Sequence, residues 1–271
     1  MRDLAKGIES ALDARGGKNS SLKCFPTHIP SLPTGEECGR YLSLELTTSS
    51  IKISLVDFGL TPENPSYMMY PYKTLTEAPK DIHIFELSNK LKTGKSKGEK
   101  LFDRLAECLK EFLQEKQLEA TQLQLAFTFP FAVDQESLTK GKLVSWNKGF
   151  NCSGVVGEDV VILLEDSLKK LDLKNIEVSI IILRTITDQF QVCAVVNNAA
   201  GYLVSCAWEN KNCRVGVVLN SGTNACYVKV KVSEIKILKY SLHNTQDANG
   251  IVNTEWGAFG DGGELSFIET K

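Results

Sequence analysis

Five segments of the 271-residue chain concentrate glycine, side-chain amides, hydroxyls and aromatic rings. They are Phe127-Thr128-Phe129-Pro130, Trp146-Asn147-Lys148-Gly149-Phe150, Val196-Asn197-Asn198-Ala199-Ala200-Gly201, Ser221-Gly222-Thr223-Asn224-Ala225-Cys226-Tyr227 and Asn253-Thr254-Glu255-Trp256-Gly257-Ala258-Phe259-Gly260-Asp261. Their only charged side chains are Lys148, Glu255 and Asp261. A set dominated by amides and hydroxyls suits a neutral polyhydroxylated ligand, because every ligand hydroxyl needs a donor or an acceptor. Asn, Gly and Ser are also ordinary turn residues at strand ends. That accounts for any one segment, and less well for five in succession.

Other chemistries lack their residues. Gly94-Lys95-Ser96 has Asn89 where a phosphate loop needs its first glycine. Asp57-Phe58-Gly59 matches a kinase metal triplet, but no H-R-D or Gly-rich lid precedes it, and no G-x-S-x-G elbow is present. The eight cysteines contain no C-x-x-C pair and only His28, His83 and His243 accompany them, so no metal site is expected. Small reduced core residues are the reading for these cysteines.

Strands and helices must carry the five segments. Leu42-Ser43-Leu44-Glu45-Leu46 and Ile51-Lys52-Ile53-Ser54-Leu55-Val56 alternate apolar and polar residues, which predicts a hairpin of half-buried strands. Leu101, Leu105, Cys108, Leu109, Phe112 and Leu113 recur at the helical period, and 157–173 repeats that pattern with Val160, Val161, Leu164 and Leu168. Further strands are expected at 123–129, 178–183, 191–197, 215–220 and 226–232, with a loop-rich stretch over 60–97. Strands interleaved with helices predict an α/β fold with a mixed or parallel sheet. In open sheets of this class, ligands bind off the carboxyl ends of strands, where the five segments fall.

Composition agrees with this class. Apolar residues make up 42% of the chain, and 31 basic against 33 acidic residues leave a net charge of −2. A core can be buried, and the balance offers no large nucleic-acid footprint. No apolar run approaches the ~20 residues of a membrane span, and residues 1–15 interleave charged and apolar side chains. The expectation is a cytoplasmic protein that engages no membrane.

The five segments, in this order, resemble the hexokinases, with the animal enzymes nearest. The likeness extends to Leu22-Lys23-Cys24-Phe25-Pro26-Thr27, Gly98-Glu99-Lys100-Leu101-Phe102-Asp103 and Leu143-Val144-Ser145. It implies a two-lobed, actin-like ATPase (ribonuclease H-like) fold. The implied small lobe covers 41–197, and the implied partial large lobe 1–40 and 198–271. The implied activity is transfer of phosphate from Mg-ATP to the 6-hydroxyl of glucose or a related hexose, in a cleft between lobes. Protein partners are not indicated.

Matched residue by residue, the resemblance places Thr128, Phe129, Asn147, Lys148, Asn197, Asn224 and Glu255 on the sugar side, with Lys148 also at a catalytic position. Thr128 stands where Ser is usual, and Asn147 replaces the Thr of a W-T-K-G-F motif whose Lys is Lys148. Asn198 occupies the position of the catalytic Asp in V-N-D-T-V-G. An amide cannot accept the hydroxyl proton at neutral pH, and general-base assistance is worth roughly 10²–10⁴-fold. The phosphate loop D-L-G-G-T-N-F-R-V becomes Glu45-Leu46-Thr47-Thr48-Ser49-Ser50-Ile51-Lys52-Ile53. The glycines that let backbone approach a phosphate are replaced by β-branched Thr47 and Thr48, with Ser49 following, and Lys52 replaces a forked guanidinium. In the second phosphate loop, Asn220-Ser221-Gly222 stands for G-T-G. The family's adenosine segment and one further sugar-binding Glu would follow Lys271. The expectation is therefore a glucose-binding pseudoenzyme with doubtful Mg-ATP binding. An active hexokinase and an interaction protein without ligand remain the alternatives.

Overall fold

The apolar stripe from Leu101 to Leu113 buries as one face of a helix in the computed structural model, which describes residues 6–8, 10–11, 22, 24–29, 31–34, 40–57, 82–93, 97–173, 194–219, 222–229, 250–263 and 265–266. Among these, the strands are β1 (Phe25–Pro26), β2 (Arg40–Leu46), β3 (Ser50–Asp57), β4 (Ile82–Glu86), β5 (Gln124–Thr128), β6 (Ala132–Ser137), β7 (Lys140–Ser145), β8 (Ala194–Val196), β9 (Val215–Leu219), β10 (Thr223–Lys229) and β11 (Gly250–Asn253). The helices are α1 (Gly98–Glu115), α2 (Val160–Lys170) and α3 (Asn198–Glu209), with 3-10 turns at Asn89–Leu91 and Trp256–Ala258. The chain forms two compact units. Unit one comprises Met1–Pro33, Gln135–Ser137 and Asn197–Lys271, and unit two Thr34–Asp134 and Leu138–Val196.

Unit two is built on a five-stranded mixed sheet in the order β4-β3-β2-β5-β8. β2 and β3 form the expected antiparallel hairpin, with Leu46 opposite Ile51, while β2–β5 and β5–β8 run parallel. The hairpin's alternation puts Leu42, Leu44, Leu46, Ile51 and Ile53 in the core, with Phe102, Leu105, Leu109 and Phe112 of α1 in the same cluster. Asp159 caps α2, its Oδ1 accepting the Val161 N–H at 2.9 Å. Lys170 of α2 pairs with Glu99 and Asp103 of α1 at 2.6 and 3.0 Å.

Unit one contains a four-stranded sheet in the order β1-β11-β10-β9, antiparallel throughout. Helix α3 packs on β9 and β10. Gly216 permits this: a Cβ there would stand 2.8 Å from Leu203 Cβ and 2.9 Å from the Ala199 carbonyl oxygen.

Three expectations change. The stretch over 60–97 holds strand β4 and a 3-10 turn among its described residues, rather than loop alone. Residues 132–145 form the ribbon β6–β7, and 198–209 form α3, neither of which the periodicity announced. The strand expected at 178–183, the Gly94-Lys95-Ser96 loop and Ser221 lie outside the described residues. Among the described residues no helix is long and apolar enough to cross a membrane.

Candidate functional site

Asn197 precedes α3 as its N-cap. The side-chain Oδ1 accepts the Ala199 N–H at 2.9 Å, which fixes the amide so that Nδ2 donates outward, to Glu255 Oε1 at 3.3 Å. Asn224 lies buried on β10, its Oδ1 accepting the Ala225 N–H at 2.8 Å. Its Nδ2 reaches Asn253 Oδ1 at 2.8 Å and Glu255 Oε1 at 3.0 Å, with Asn197 Oδ1 at 3.4 Å. An amide nitrogen has two hydrogens, so the two shorter bonds dominate. Asn253, at the end of β11, donates from Nδ2 to Glu255 Oε1 at 2.7 Å.

Three amides, from the cap of α3, from β10 and from β11, thus converge on one carboxylate oxygen. Three donors on one oxygen fix the direction in which the Glu255 carboxylate points. None of these bonds uses Oε2, which accepts from no described residue. Glu255 has left-handed backbone (φ 50°, ψ 39°), an uncommon conformation for a residue with a Cβ. Neighbouring contacts hold it there. Thr254 donates its hydroxyl to the Ala225 carbonyl at 2.8 Å, and Trp256 Nε1 donates to Thr223 Oγ1 at 2.9 Å. Gly257 is required beside them, because a Cβ would meet the Thr223 carbonyl oxygen at 2.6 Å.

Asn198 is the first residue of α3 and is half-buried. The position sits at the positive end of the helix dipole, where a carboxylate is favoured. The amide present there can donate and accept hydrogen bonds, but it takes no proton near neutral pH.

In unit two, Lys148 and Gly149 both have positive φ (53° and 81°), and the Phe150 N–H closes on the Asn147 carbonyl at 3.0 Å. Two consecutive positive φ values define the mirror-image turn that a central glycine favours. The turn directs Lys148 Nζ onto the Pro130 carbonyl at 2.7 Å and leaves Asn147 exposed. Trp146 anchors it, stacked on Phe150 (5.7 Å), edge-on to Phe131 (4.7 Å), and donating Nε1–H to the Cys152 carbonyl at 2.8 Å. Thr128 ends β5, half-buried and opposite Val196 of β8. Phe129 is fully buried, with its ring 4.9 Å from Phe131 and 6.0 Å from Trp146. Its ring supports the aromatic stack and is not presented to a ligand.

The β2–β3 turn answers whether its residues suit a nucleotide phosphate. Thr47 Oγ1 accepts the N–H groups of Ser50 (2.9 Å) and Ser49 (3.3 Å) and donates to the Ser50 carbonyl (2.9 Å). Backbone amides cradle an anion only when they point outward together. Here two amides of the turn are spent on its own hydroxyl, none of Thr47, Thr48 and Ser49 adopts positive φ, and Lys52 pairs across the hairpin with Glu45 at 3.4 Å. These residues do not fit a phosphate. Gly222 is exposed before β10, while Ser221 is outside the described residues. No group of three or more His, Cys, Asp or Glu among the described residues is placed to hold a metal ion.

Of the residues expected from sequence, Asn197, Asn224 and Glu255 meet in one hydrogen-bonded group within unit one, with Asn198 adjoining in the chain. Thr128, Phe129, Asn147 and Lys148 belong to unit two. Asn253 joins the first group from the same segment as Glu255. Its signal was available: a polar amide closing the apolar run Ile251-Val252, in a strand whose four residues are all buried.

Two family models described as hexokinase match the chain, one over residues 1–208 and the other over 214–271. A hexokinase of Brugia malayi is 34% identical over the whole chain, and human hexokinase-2 is 30% identical over 98% of it. The chain spans 41% of the first and 25% of the second. The solved structure of the hexokinase from Schistosoma mansoni complexed with glucose superposes with a TM-score of 0.78 at 28% identity, over 99% of this chain and 52% of that one.

Proposed function

The chain belongs to the hexokinase family, and from that premise we propose that it is a glucose-binding member with little or no phosphotransferase activity. The convergence of Asn197, Asn224 and Asn253 on Glu255 Oε1 carries the binding half of this reading. It leaves an oriented carboxylate oxygen and a set of neutral amides, the donor–acceptor mixture that ring hydroxyls demand. The Schistosoma relative described above was solved with glucose, which supports a hexose as ligand.

The catalytic half rests on Asn198 and on the closed Thr47 turn. Abstraction of a hydroxyl proton needs a basic group within hydrogen-bond reach, and the side chain at 198 is an amide. Phosphoryl transfer needs the nucleotide held in place, and the Thr47, Ser49 and Ser50 amides of the turn are engaged within the hairpin. In this proposal residues 41–197 correspond to the small lobe of the family, and 1–40 with 198–271 to part of the large lobe.

The test is a coupled glucose-6-phosphate assay with Mg-ATP on the purified chain and on Asn198→Asp. We expect the unaltered chain to be at least about 10²-fold slower than an intact hexokinase. Asn198→Asp should restore little, because the Thr47 turn stays closed. Turnover by the unaltered chain comparable with an intact hexokinase overturns this reading.

A further inference from the structure

We propose that Asn253 is a positioning residue for the hexose site, acting through Asn224 and Glu255 rather than touching the sugar; the inference rests on the glucose-binding reading above. Asn253 is 3% exposed, so it has almost no surface to offer a ligand. Its amide faces two site residues at once. Oδ1 accepts from Asn224 Nδ2 at 2.8 Å, and Nδ2 donates to Glu255 Oε1 at 2.7 Å, the shortest of the three bonds to that oxygen.

The backbone makes such a brace necessary. Asn253 is the last residue of β11, held opposite Cys226 on β10 and Phe25 on β1, so its own position is set by strands on both sides. Two residues later, Glu255 has left-handed backbone that a residue with a Cβ rarely adopts, outside regular secondary structure. Asn253 therefore links the rigid sheet to a carboxylate on strained backbone. It also takes up a hydrogen of Asn224 Nδ2, which fixes the direction in which that amide presents its remaining contacts. An apolar side chain of similar size would fill the volume and supply neither bond. An aspartate would keep the acceptor for Asn224 but place a second carboxylate against Glu255.

The experiment is calorimetric glucose titration of the unaltered chain, Asn253→Ala and Asn253→Asp at pH 8 and pH 5.5, with melting temperatures measured alongside. Asn253→Ala should weaken glucose binding about tenfold or more at both pH values, as two hydrogen bonds to site residues are lost. Asn253→Asp should be weak at pH 8, where like charges oppose each other, and recover at pH 5.5. Lower pH favours the protonated form of the introduced carboxyl, which can donate to Glu255 as Asn253 does now. A purely structural role would weaken both variants equally at both pH values, in step with melting temperature, and would overturn the inference. Unchanged affinity in folded variants would also overturn it while leaving the glucose-binding reading intact. No heat from the folded, unaltered chain would remove both. Asn253→Asp, nearly isosteric, carries the test if the alanine variant does not fold.

Discussion

Gly216→Ala isolates how far the site depends on the packing of α3 against β9. The new Cβ would lie 2.8 Å from Leu203 Cβ, 2.9 Å from the Ala199 carbonyl oxygen and 2.9 Å from the Leu203 amide nitrogen. Carbon atoms in contact prefer about 3.5–4.0 Å, so helix and strand must separate by roughly 0.5–1 Å. Two of the three obstructing atoms are helix backbone, which moves as a body rather than by a rotamer change. Overpacking of this kind costs about 1–3 kcal/mol, which lowers the melting temperature by roughly 2–4 °C per kcal/mol in a protein near this size. Asn197 caps the same helix and holds Glu255 at 3.3 Å, so a shift of that order also stretches the site. Thermal melts followed by circular dichroism, with parallel glucose titrations, should show both effects. Adding Leu203→Ala should not rescue the variant, because alanine keeps its Cβ and the other two contacts are backbone. A melting temperature within about one degree of the unaltered chain, or rescue by Leu203→Ala, would mean that the backbone contacts of α3 with β9 do not limit the packing.

Other perturbations separate the cap, the closed turn and the buried thiols. Asn197→Ala should cost about 0.5–2 kcal/mol through loss of the α3 cap and weaken glucose binding beyond that of a cap variant elsewhere; Asp159→Ala at the start of α2 is the comparison for both urea midpoint and affinity. Thr47→Val should lower stability by about 1 kcal/mol in urea titrations, since two amides lose their acceptor in a turn that water partly reaches. Burial pushes the thiols of Cys108 and Cys226 up to about 12. Iodoacetamide at pH 8 should therefore label exposed Cys206 well before either of them, as read by peptide mass spectrometry. The same raised values make the folded state hold protons that the unfolded state gives up. Stability contributed by these two thiols should be complete below about pH 8.5 and decline as pH rises toward 12, by at most about 1.4 kcal/mol per pH unit for each. Denaturation midpoints of Cys108→Ala and Cys226→Ala across pH 8–11 should show a shallower decline.

Where one face of an element is buried throughout, residue order was enough to read it. The α1 stripe and the β2–β3 alternation are such cases, and every apolar residue named on them except Leu55 and Val56 is buried. β4 was hidden because its two isoleucines, Ile82 and Ile84, face solvent while His83 and Phe85 are the half-buried pair, inverting the usual pattern. α3 was hidden because Asn197, Asn198 and Gly201 are turn-forming types and its buried face consists largely of alanine. Tertiary packing against Gly216 overrides those local preferences. At the site, the resemblance to a family points to Asn197, Asn224 and Glu255, but not to the brace between them. Asn253 becomes visible only when β10 and β11 are paired, which brings residues 29 positions apart into contact. The β-branched residues of the 47–50 turn predict a poor phosphate loop from backbone shape, whereas the threonine hydroxyl adds a second cause by taking the amides for itself.

On the function proposed above, a carboxylate held by three asparagines forms a hexose site in a chain that lacks the catalytic base. Calorimetric titration of the purified chain with glucose addresses it most directly, with Glu255→Gln titrated in parallel. Weak, saturable heat is expected from the unaltered chain, with a loss of about tenfold or more in the variant, where the hydrogen bonds to Glu255 are weakened. A flat trace from folded protein, or equal affinity in the two proteins, would contradict that expectation.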